Sequence, residues 1–486
     1  MGEGLEKRQV LLREVQNGEV IDENGSMNRS RKFSKAADRL AERPKGPAPE
    51  TITLPPDFEI TEEMDHVINS IRQGKNLFIT GKAGSGKSTL LTYLRSTVFP
   101  QETVYCSYTG VAALNIGGET LHKFFGFLPD VTIEKVKGPD YHPRSQRAMK
   151  VLKMLVIDEI SMVRADLLDI IDFALRRYGP NHRKPFGGVQ LVMFGDLYQL
   201  PPIVKPTERD FFNDHYRSEF FFDSHVFDES GFDQIELTKV YRQKDQRLIE
   251  ILDRIRTNDI TEEELDLLNT RVEPDFEPPD DEFYITLTST RSLSSEINSS
   301  RLEELPGKSY TSIASVWGEF SEKSFPAERI LEFKVGSQIM LLNNDQGQRW
   351  ANGTLARVKD VHADKTEKVK SVSVELASDG SEHVVEPNQW DVLKTKYEGG
   401  LLSHEVVGSF IQLPIQLAWS VTIHKAQGKS FDRVILDFSH RVFAPGQMYV
   451  ALSRCRSLEG IKLKTPVEIE EVMVDERVVA YMERRN

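Results

Sequence analysis

The chain has 486 residues, 39% of them hydrophobic and 28% charged, with a formal net charge of −13. Its apolar runs fall well short of the ~20 residues of a membrane span, and its only cysteines, Cys106 and Cys455, exclude a disulfide framework, a four-cysteine zinc site or an iron–sulfur cluster built by this chain alone. The acidic balance argues against broad coating of nucleic acid, yet leaves room for one basic groove, because net charge says little about a single cleft.

The first residues, MGEGLEKRQVLLREV, carry acids early and have no apolar signal core. Neither a secretory nor a mitochondrial leader is expected, and a reducing cytoplasm is. Residues 1–56 are polar and mixed in charge, with breaks at Asn24-Gly25-Ser26 and Lys45-Gly46-Pro47-Ala48-Pro49, and read as a disordered extension and linker.

From 57 to 227 apolar runs at 77–79, 104–106, 154–157 and 189–194 alternate with helical periods such as Leu167, Ile171, Ala174 and Leu175. That alternation predicts an α/β unit with a parallel sheet. Residues 128–145 interrupt it with two Gly/Pro breaks and read as a small surface insertion. Within the unit, Gly81-Lys82-Ala83-Gly84-Ser85-Gly86-Lys87-Ser88 is a complete G-x-x-x-x-G-K-[ST] loop. It is entered from an apolar strand and left through a helical stretch beginning at Thr89, the context that makes such a motif credible. The glycines let backbone N–H groups over 83–89 turn towards phosphate oxygens, and the helix N-terminus adds partial positive charge. Lys87 can reach the β- and γ-phosphates, and the Ser88 hydroxyl can bind Mg²⁺. The expected ligand is therefore a nucleoside triphosphate with Mg²⁺.

The run at 154–157 ends in Asp158-Glu159, which places a metal-binding carboxylate, Asp158, beside a candidate general base, Glu159. A further strand ends in Gly195-Asp196 and is followed by Leu197-Tyr198-Gln199-Leu200-Pro201-Pro202. Gln199 either hydrogen-bonds the γ-phosphate or its water, or belongs to an ordinary turn. Thr109 and Gly110, with His122 and Phe124, follow the second strand, where ligands of open parallel sheets sit. They would suit a single strand of nucleic acid. At least one of Phe124 and Phe125 is expected in the core, and His122 reads equally as a packed histidine.

A second alternating unit begins near 228, with a strand at 283–287 and a helix at 293–302. Residues 333–400 change character to short strands, with an Asn352-Gly353 turn, and read as an inserted small β-barrel. The α/β pattern resumes at Ile415 and closes with a helix over 468–483. Arg242 and Arg454 stand near the two ends of this unit. Either alone reads as a surface ion pair. Supplied together, they meet the need for guanidinium at a transferring phosphoryl group and place ATP between the two units. In Thr422-Ile423-His424-Lys425-Ala426-Gln427-Gly428, the first, third and fourth residues could touch a nucleic-acid backbone while Gln427 and Gly428 face the nucleotide. The other reading is a buried strand running into a polar turn.

The motifs resemble, in order, those of superfamily one helicases, most closely the bacterial form of the Pif-type 5′-to-3′ DNA helicases. GKAGSGKST is similar to motif I, TGVAALNIGGETLHKFF to Ia and its follow-on, VIDEISMV to II, and FGDLYQLPPIV to III. LTKVYRQ resembles IV, WSVTIHKAQGKSFDRVILD V, and GQMYVALSRCRSLEGI VI, over residues 58–465. The segment ending Lys184-Pro185-Phe186-Gly187-Gly188-Val189-Gln190 resembles the stretch that marks this family. The resemblance implies two RecA-like domains, at 57–227 and at 228–332 with 401–486, a wedge at 128–145 and an SH3-like barrel at 333–400. It implies phosphate and Mg²⁺ on Lys87 and Ser88, metal on Asp158, water activation by Glu159, γ-phosphate sensing by Gln199, and Arg242 and Arg454 as fingers. It also implies a monomer working on single-stranded and forked duplex DNA with other replication or repair proteins, located in a prokaryotic nucleoid. One departure concerns the glutamine that in this family reads adenine: Met64 stands there, so weaker base discrimination is expected. Two other functions fit parts of the pattern: a DNA-stimulated ATPase that remodels nucleoprotein with little unwinding, and a P-loop ATPase that is not a motor.

Overall fold

The computed structural model describes Leu54 and residues 58–484, apart from 129, 244, 399–400 and 440–443. The extension expected over 1–56 lies outside the described residues, Leu54 excepted.

Six strands form the first sheet: β1 (Leu77–Gly81), β2 (Thr103–Ser107), β3 (Glu119–Thr120), β4 (Met154–Asp158), β5 (Gln190–Phe194) and β6 (Asp233–Leu237). They lie in the order β3-β2-β4-β5-β1-β6, every pair parallel. The central strands are apolar throughout because helices cover both faces; Leu77, Phe78, Ile79 and Val192 are wholly buried. One strand, β5, separates β1 from β4. At ~4.8 Å per strand, the loop after β1 and the carboxylates after β4 stand about 10 Å apart, room for a phosphate chain and a cation. The helix Glu62–Arg72 starts at Thr61, whose hydroxyl accepts from the Met64 amide at 3.3 Å. It buries Met64, Val67, Ile68 and Ile71 against the sheet.

Several boundaries differ from expectation. The division at 227/228 falls too early, since β6 pairs with β1 over Leu77↔Asp233 to Gly81↔Leu237. Its half-polar pattern, Asp233-Gln234-Ile235-Glu236-Leu237, is that of an edge strand buried on one face. The second parallel sheet holds Ser420–Thr422, Ile285–Thr288, Val434–Asp437 and Ile461–Leu463 in that spatial order. Between its first two strands in the chain lies a β-rich region running from 310 to 417, wider than the 333–400 expected. In it, Tyr310–Ile313 pairs with Ile330–Phe333, and Leu401–Gln412 pairs with Asn388–Glu398 on one side and Ser315–Gly318 on the other. A five-stranded ladder runs from Glu382–Val385 through Val369–Leu376, Leu355–Ala363 and Gln338–Leu341 to Ile415–Leu417. Ile415 therefore belongs to this region, paired with Leu341, and does not reopen the α/β pattern. The ladder is open at both ends, not a closed ring. Leu331, Phe333, Ile339, Leu341, Leu413 and Ile415 share its core.

Residues 128–145 carry the short helix Ile133–Lys137. Arg177 donates to the carbonyls of Val136 and Gly138 at 2.7 and 2.8 Å, and the Tyr141 hydroxyl donates to the Phe125 carbonyl at 2.7 Å, tying the segment to the first sheet's helices. At the C-terminus the helix is shorter than 468–483: a turn at Ile469–Glu471 precedes Glu476–Glu483, which starts at the Asp475 cap.

Candidate active site

The loop after β1 turns on Gly81, Gly84 and Gly86, with φ of 148°, 82° and 87°. Gly84 is also sterically required: a Cβ there would lie 2.4 Å from the Arg242 Cβ. The Lys87 ammonium folds over the loop and donates to the Gly81 and Lys82 carbonyls at 2.6 and 3.0 Å. Loss of hydration pushes its pKa down, opposed by the charges of Asp196 and Glu159. Thr80 Oγ1, Ser85 Oγ and Arg242 Nη1 are buried around this loop with no hydrogen-bond partner among the described residues. Buried polar atoms are seldom left so, and phosphate oxygens are the partners this cluster suits. Ser88 and Thr89 open the helix Lys87–Thr97, whose N-cap, Gly86, offers no side chain to its first-turn amides.

At the end of β4 the Asp158 carboxylate accepts from the Glu159 amide at 2.9 Å, while the Ser107 hydroxyl donates to the Asp158 carbonyl at 3.2 Å. Glu159 is held in the left-handed region at φ 54°, a conformation that costs a non-glycine residue energy and aims its side chain away from the strand. Burial pushes both carboxyls up, and Asp158 raises Glu159 further. A hydroxyl from Ser88 and a carboxylate from Asp158 suit Mg²⁺, which takes few protein oxygens and fills its octahedron with phosphate and water.

The second lobe reaches into this site at several points. The Gln427 amide donates to Glu159 Oε2 at 3.2 Å and to Gln199 Oε1 at 2.9 Å. Gln199 in turn donates from its side chain to the Asp196 carboxylate at 3.1 Å and from its amide to the Asp196 carbonyl at 3.1 Å, so it stands in a turn and at the same time meets the second lobe through Gln427. Arg242 Nη2 donates to the Gly428 carbonyl at 3.4 Å. Arg454 is 1% exposed and donates from Nε to Val450 O at 2.8 Å, from Nη1 to Lys429 O at 3.2 Å and from Nη2 to Ser453 Oγ at 2.6 Å. Burial and the neighbouring Arg242 charge push its guanidinium down to about 9. Two buried cations, neither in an ion pair among the described residues, are thus held together, Arg454 with Glu159 nearby, an arrangement an incoming polyanion would relieve.

Sequence reading missed three members of this network. Asp196 is 1% exposed and faces Arg256 at 3.7 Å; Arg256 also pairs with Glu236 at 2.9 Å and stacks on Tyr198 at 4.3 Å. Arg256 sits on the helix Gln246–Thr257 in no motif, so only the fold could reveal it. Tyr449 lies within the stretch that resembles motif VI but has no role assigned from sequence, and its hydroxyl accepts from the Ala83 amide at 2.8 Å.

The expected nucleic-acid residues separate into two groups. Phe124 is 1% exposed and packs edge-on against Phe125 at 4.9 Å, so its ring belongs to the core and is not open to a base. Thr422 is likewise buried; its hydroxyl caps the helix Ile423–Ala426 by accepting from the Lys425 amide at 3.3 Å. The Thr109 hydroxyl caps the helix Gly110–Asn115, and a Cβ on Gly110 would meet Ser324 at 2.8 Å. His122 is half-buried between Tyr108 and Phe127, and loss of hydration pushes it down towards the neutral form. His424 and Lys425, in contrast, are exposed. Two cations the sequence reading omitted join them. After loss of hydration, Arg291 further depresses His424, and Lys425 further depresses Lys429, which reaches about 8. His424 is thereby held towards its neutral form, while Lys425 and Lys429 repel one another on an otherwise acidic chain.

A phosphate loop and acidic pair on one parallel sheet, completed by Gln427 and Arg454 from a second and by Arg242 from the segment that leaves β6, define a two-lobed P-loop nucleotide site. The family model described as PIF1-like helicase matches residues 59–264. The ATP-dependent DNA helicase Pif1 of Bdellovibrio bacteriovorus is 30% identical over 418 residues, covering 84% of this chain and 88% of that protein. The ATP-dependent DNA helicase PIF1 of Xenopus laevis is 34% identical over 425 residues; the match covers 85% of this chain but only 62% of that longer protein. Bacteroides sp Pif1 in complex with ADP-AlF4 superposes with a TM-score of 0.79 at 36% identity, covering 88% of this chain and 97% of that one; the same protein bound to ssDNA gives 0.62 at 35%. The chain belongs to the PIF1-like helicase family. Among its described residues, no helix is long and apolar enough to cross a membrane.

Proposed function

We propose that this protein is an ATP-dependent DNA helicase that moves 5′ to 3′ along single-stranded DNA and opens forked duplexes. The observation that carries the reading is the Gln427 amide, which comes from one lobe and hydrogen-bonds both Glu159 and Gln199 of the other. Hydrolysis at such a seam changes the contact between lobes, which is what converts a nucleotide cycle into movement. In this reading Lys87 and the loop amides of Gly84 and of Gly86 to Thr89 hold the phosphates, whereas the expected Ala83 and Ser85 amides are taken by the Tyr449 hydroxyl and the Lys82 carbonyl. Ser88 and Asp158 hold Mg²⁺, whose charge offsets that of the phosphates. Glu159 takes a proton from the attacking water, Gln199 and Gln427 orient that water, and Arg242 and Arg454 stabilise charge in the transition state. Arg291, His424, Lys425 and Lys429 bind the DNA backbone, with Thr109, Gly110 and His122 lining the first lobe's side. The segment 128–145 is the wedge and the β-rich region the SH3-like insert. The protein acts as a monomer beside replication or repair proteins at a bacterial nucleoid.

The test is unwinding of duplexes bearing a 5′ or a 3′ single-stranded tail, with ATP turnover followed in parallel. The reading requires DNA-stimulated turnover and opening of the 5′-tailed duplex alone. Turnover indifferent to DNA would return the protein to a P-loop ATPase that is not a motor. Stimulated turnover with no unwinding would make it a nucleoprotein remodeller.

A further inference from the structure

We propose that Tyr449 is a positioning residue: through its hydroxyl it ties the phosphate loop to the helix that delivers Arg454, so that Arg454 is aligned only when the loop is correctly shaped. The inference rests on the ATPase reading above. Tyr449 is 3% exposed, and its hydroxyl accepts from the Ala83 amide at 2.8 Å across 366 residues of sequence. It lies in the middle of the helix Gln447–Leu452. Two residues beyond the end of that helix, Arg454 returns a hydrogen bond from Nε to the helix's own Val450 carbonyl at 2.8 Å. Tyrosine hydroxyl and arginine thus ride on one rigid turn.

The same helix makes a second contact with the first lobe. Its N-cap is Gly446, where a Cβ would lie 2.5 Å from the carbonyl oxygens of both Tyr198 and Gln199. Only glycine fits that approach. One short helix therefore bears on the loop that holds the phosphates and on the backbone of the residue poised at the attacking water. Ala83 is a buried phosphate-loop residue, so a change in the loop's shape on nucleotide binding moves the acceptor's partner and, through it, the guanidinium. A tyrosine needed only for packing would have no use for its hydroxyl; phenylalanine fills the same volume.

Tyr449→Phe removes that one oxygen and keeps the ring. Steady-state ATP turnover would be measured with saturating single-stranded oligonucleotide for wild type, Tyr449→Phe, Arg454→Ala and the double variant, with melting temperature as the check on folding. The expected result is a fall in kcat of about tenfold for Tyr449→Phe, KM for ATP and oligonucleotide affinity within about threefold of wild type, and a double variant no slower than Arg454→Ala alone, because the tyrosine acts through the arginine. A kcat within twofold of wild type overturns the proposal. So does a rise in KM with kcat preserved, or a double variant slowed by the product of the two single effects. Absence of stimulated turnover in wild type itself would fail the ATPase reading instead, and the inference with it.

Discussion

The side-chain amide of Gln427 lies 3.2 Å from the carboxylate of Glu159 although 268 residues separate them in the chain. The same amide reaches Gln199, so one residue of the second lobe holds both the candidate base and the candidate water-orienting group of the first. Hydrogen bonds to a charged acceptor are stronger than neutral ones, and this one forms only when the lobes meet. Gln427→Ala is expected to lower kcat about tenfold or more and to weaken stimulation by single-stranded DNA, with binding of a fluorescent nucleotide nearly unchanged. Stopped-flow binding and steady-state turnover check both halves.

Glu159 offers two linked expectations. Glu159→Gln should lower kcat by about 10²- to 10⁴-fold, the usual contribution of a general base, while DNA binding persists. Because burial and Asp158 raise its carboxyl, the base is unprotonated only above the ordinary carboxylate range. The kcat/KM for ATP should therefore rise with pH through a limb lying above ~4.3. The sign for stability is opposite. The folded state holds this proton more tightly than the unfolded one, so the contribution favours the fold at low pH and is lost as pH rises through the folded value. At pH 8, Glu159→Gln should melt no lower than wild type in the absence of nucleotide.

The burial of Phe124 separates core from surface. Phe124→Ala should cost about 3–5 kcal/mol of stability, read by denaturant unfolding, through the cavity it leaves. Lys425→Ala should leave stability unchanged, weaken binding to single strands of every sequence alike, and reduce the slope of log K against log salt by about 0.7, the value for one phosphate contact.

Met64 sets the expected nucleotide selectivity. Its Cε and the Tyr241 ring each lie 3.5 Å from where a Cβ on Gly86 would stand, so the side chains beside the phosphate loop are apolar and aromatic. A site of that kind stacks any base and rejects few, whereas a hydrogen-bonding one discriminates strongly. The kcat/KM ratio of ATP to GTP is expected to stay within about tenfold in wild type and to rise in Met64→Gln. A nucleotide panel measures both.

Much of this was legible in the chain because the signals were local. The phosphate loop is one contiguous octapeptide whose glycines, lysine and serine act through backbone and side-chain positions that any strand–loop–helix provides. Asp158 and Glu159 end a strand buried on both faces, and such strands announce themselves as unbroken apolar runs. What tertiary structure decided was everything that depends on segments distant in sequence. Edge strand β6 alternates polar and apolar and carries no parallel-sheet signature, so its partner is known only from the register with β1. Arg256 sits on a helix outside every motif, and Tyr449 in a motif stretch that does not show what its hydroxyl meets; both become part of the site through sheet order and lobe contact. Phe124 and Thr422 have side chains that serve a core and a cap as well as they would serve DNA, and burial chose. Covalent order sets which residues are neighbours along the backbone, whereas the packing of two sheets, driven by apolar burial with little regard to sequence distance, sets which polar groups face one nucleotide.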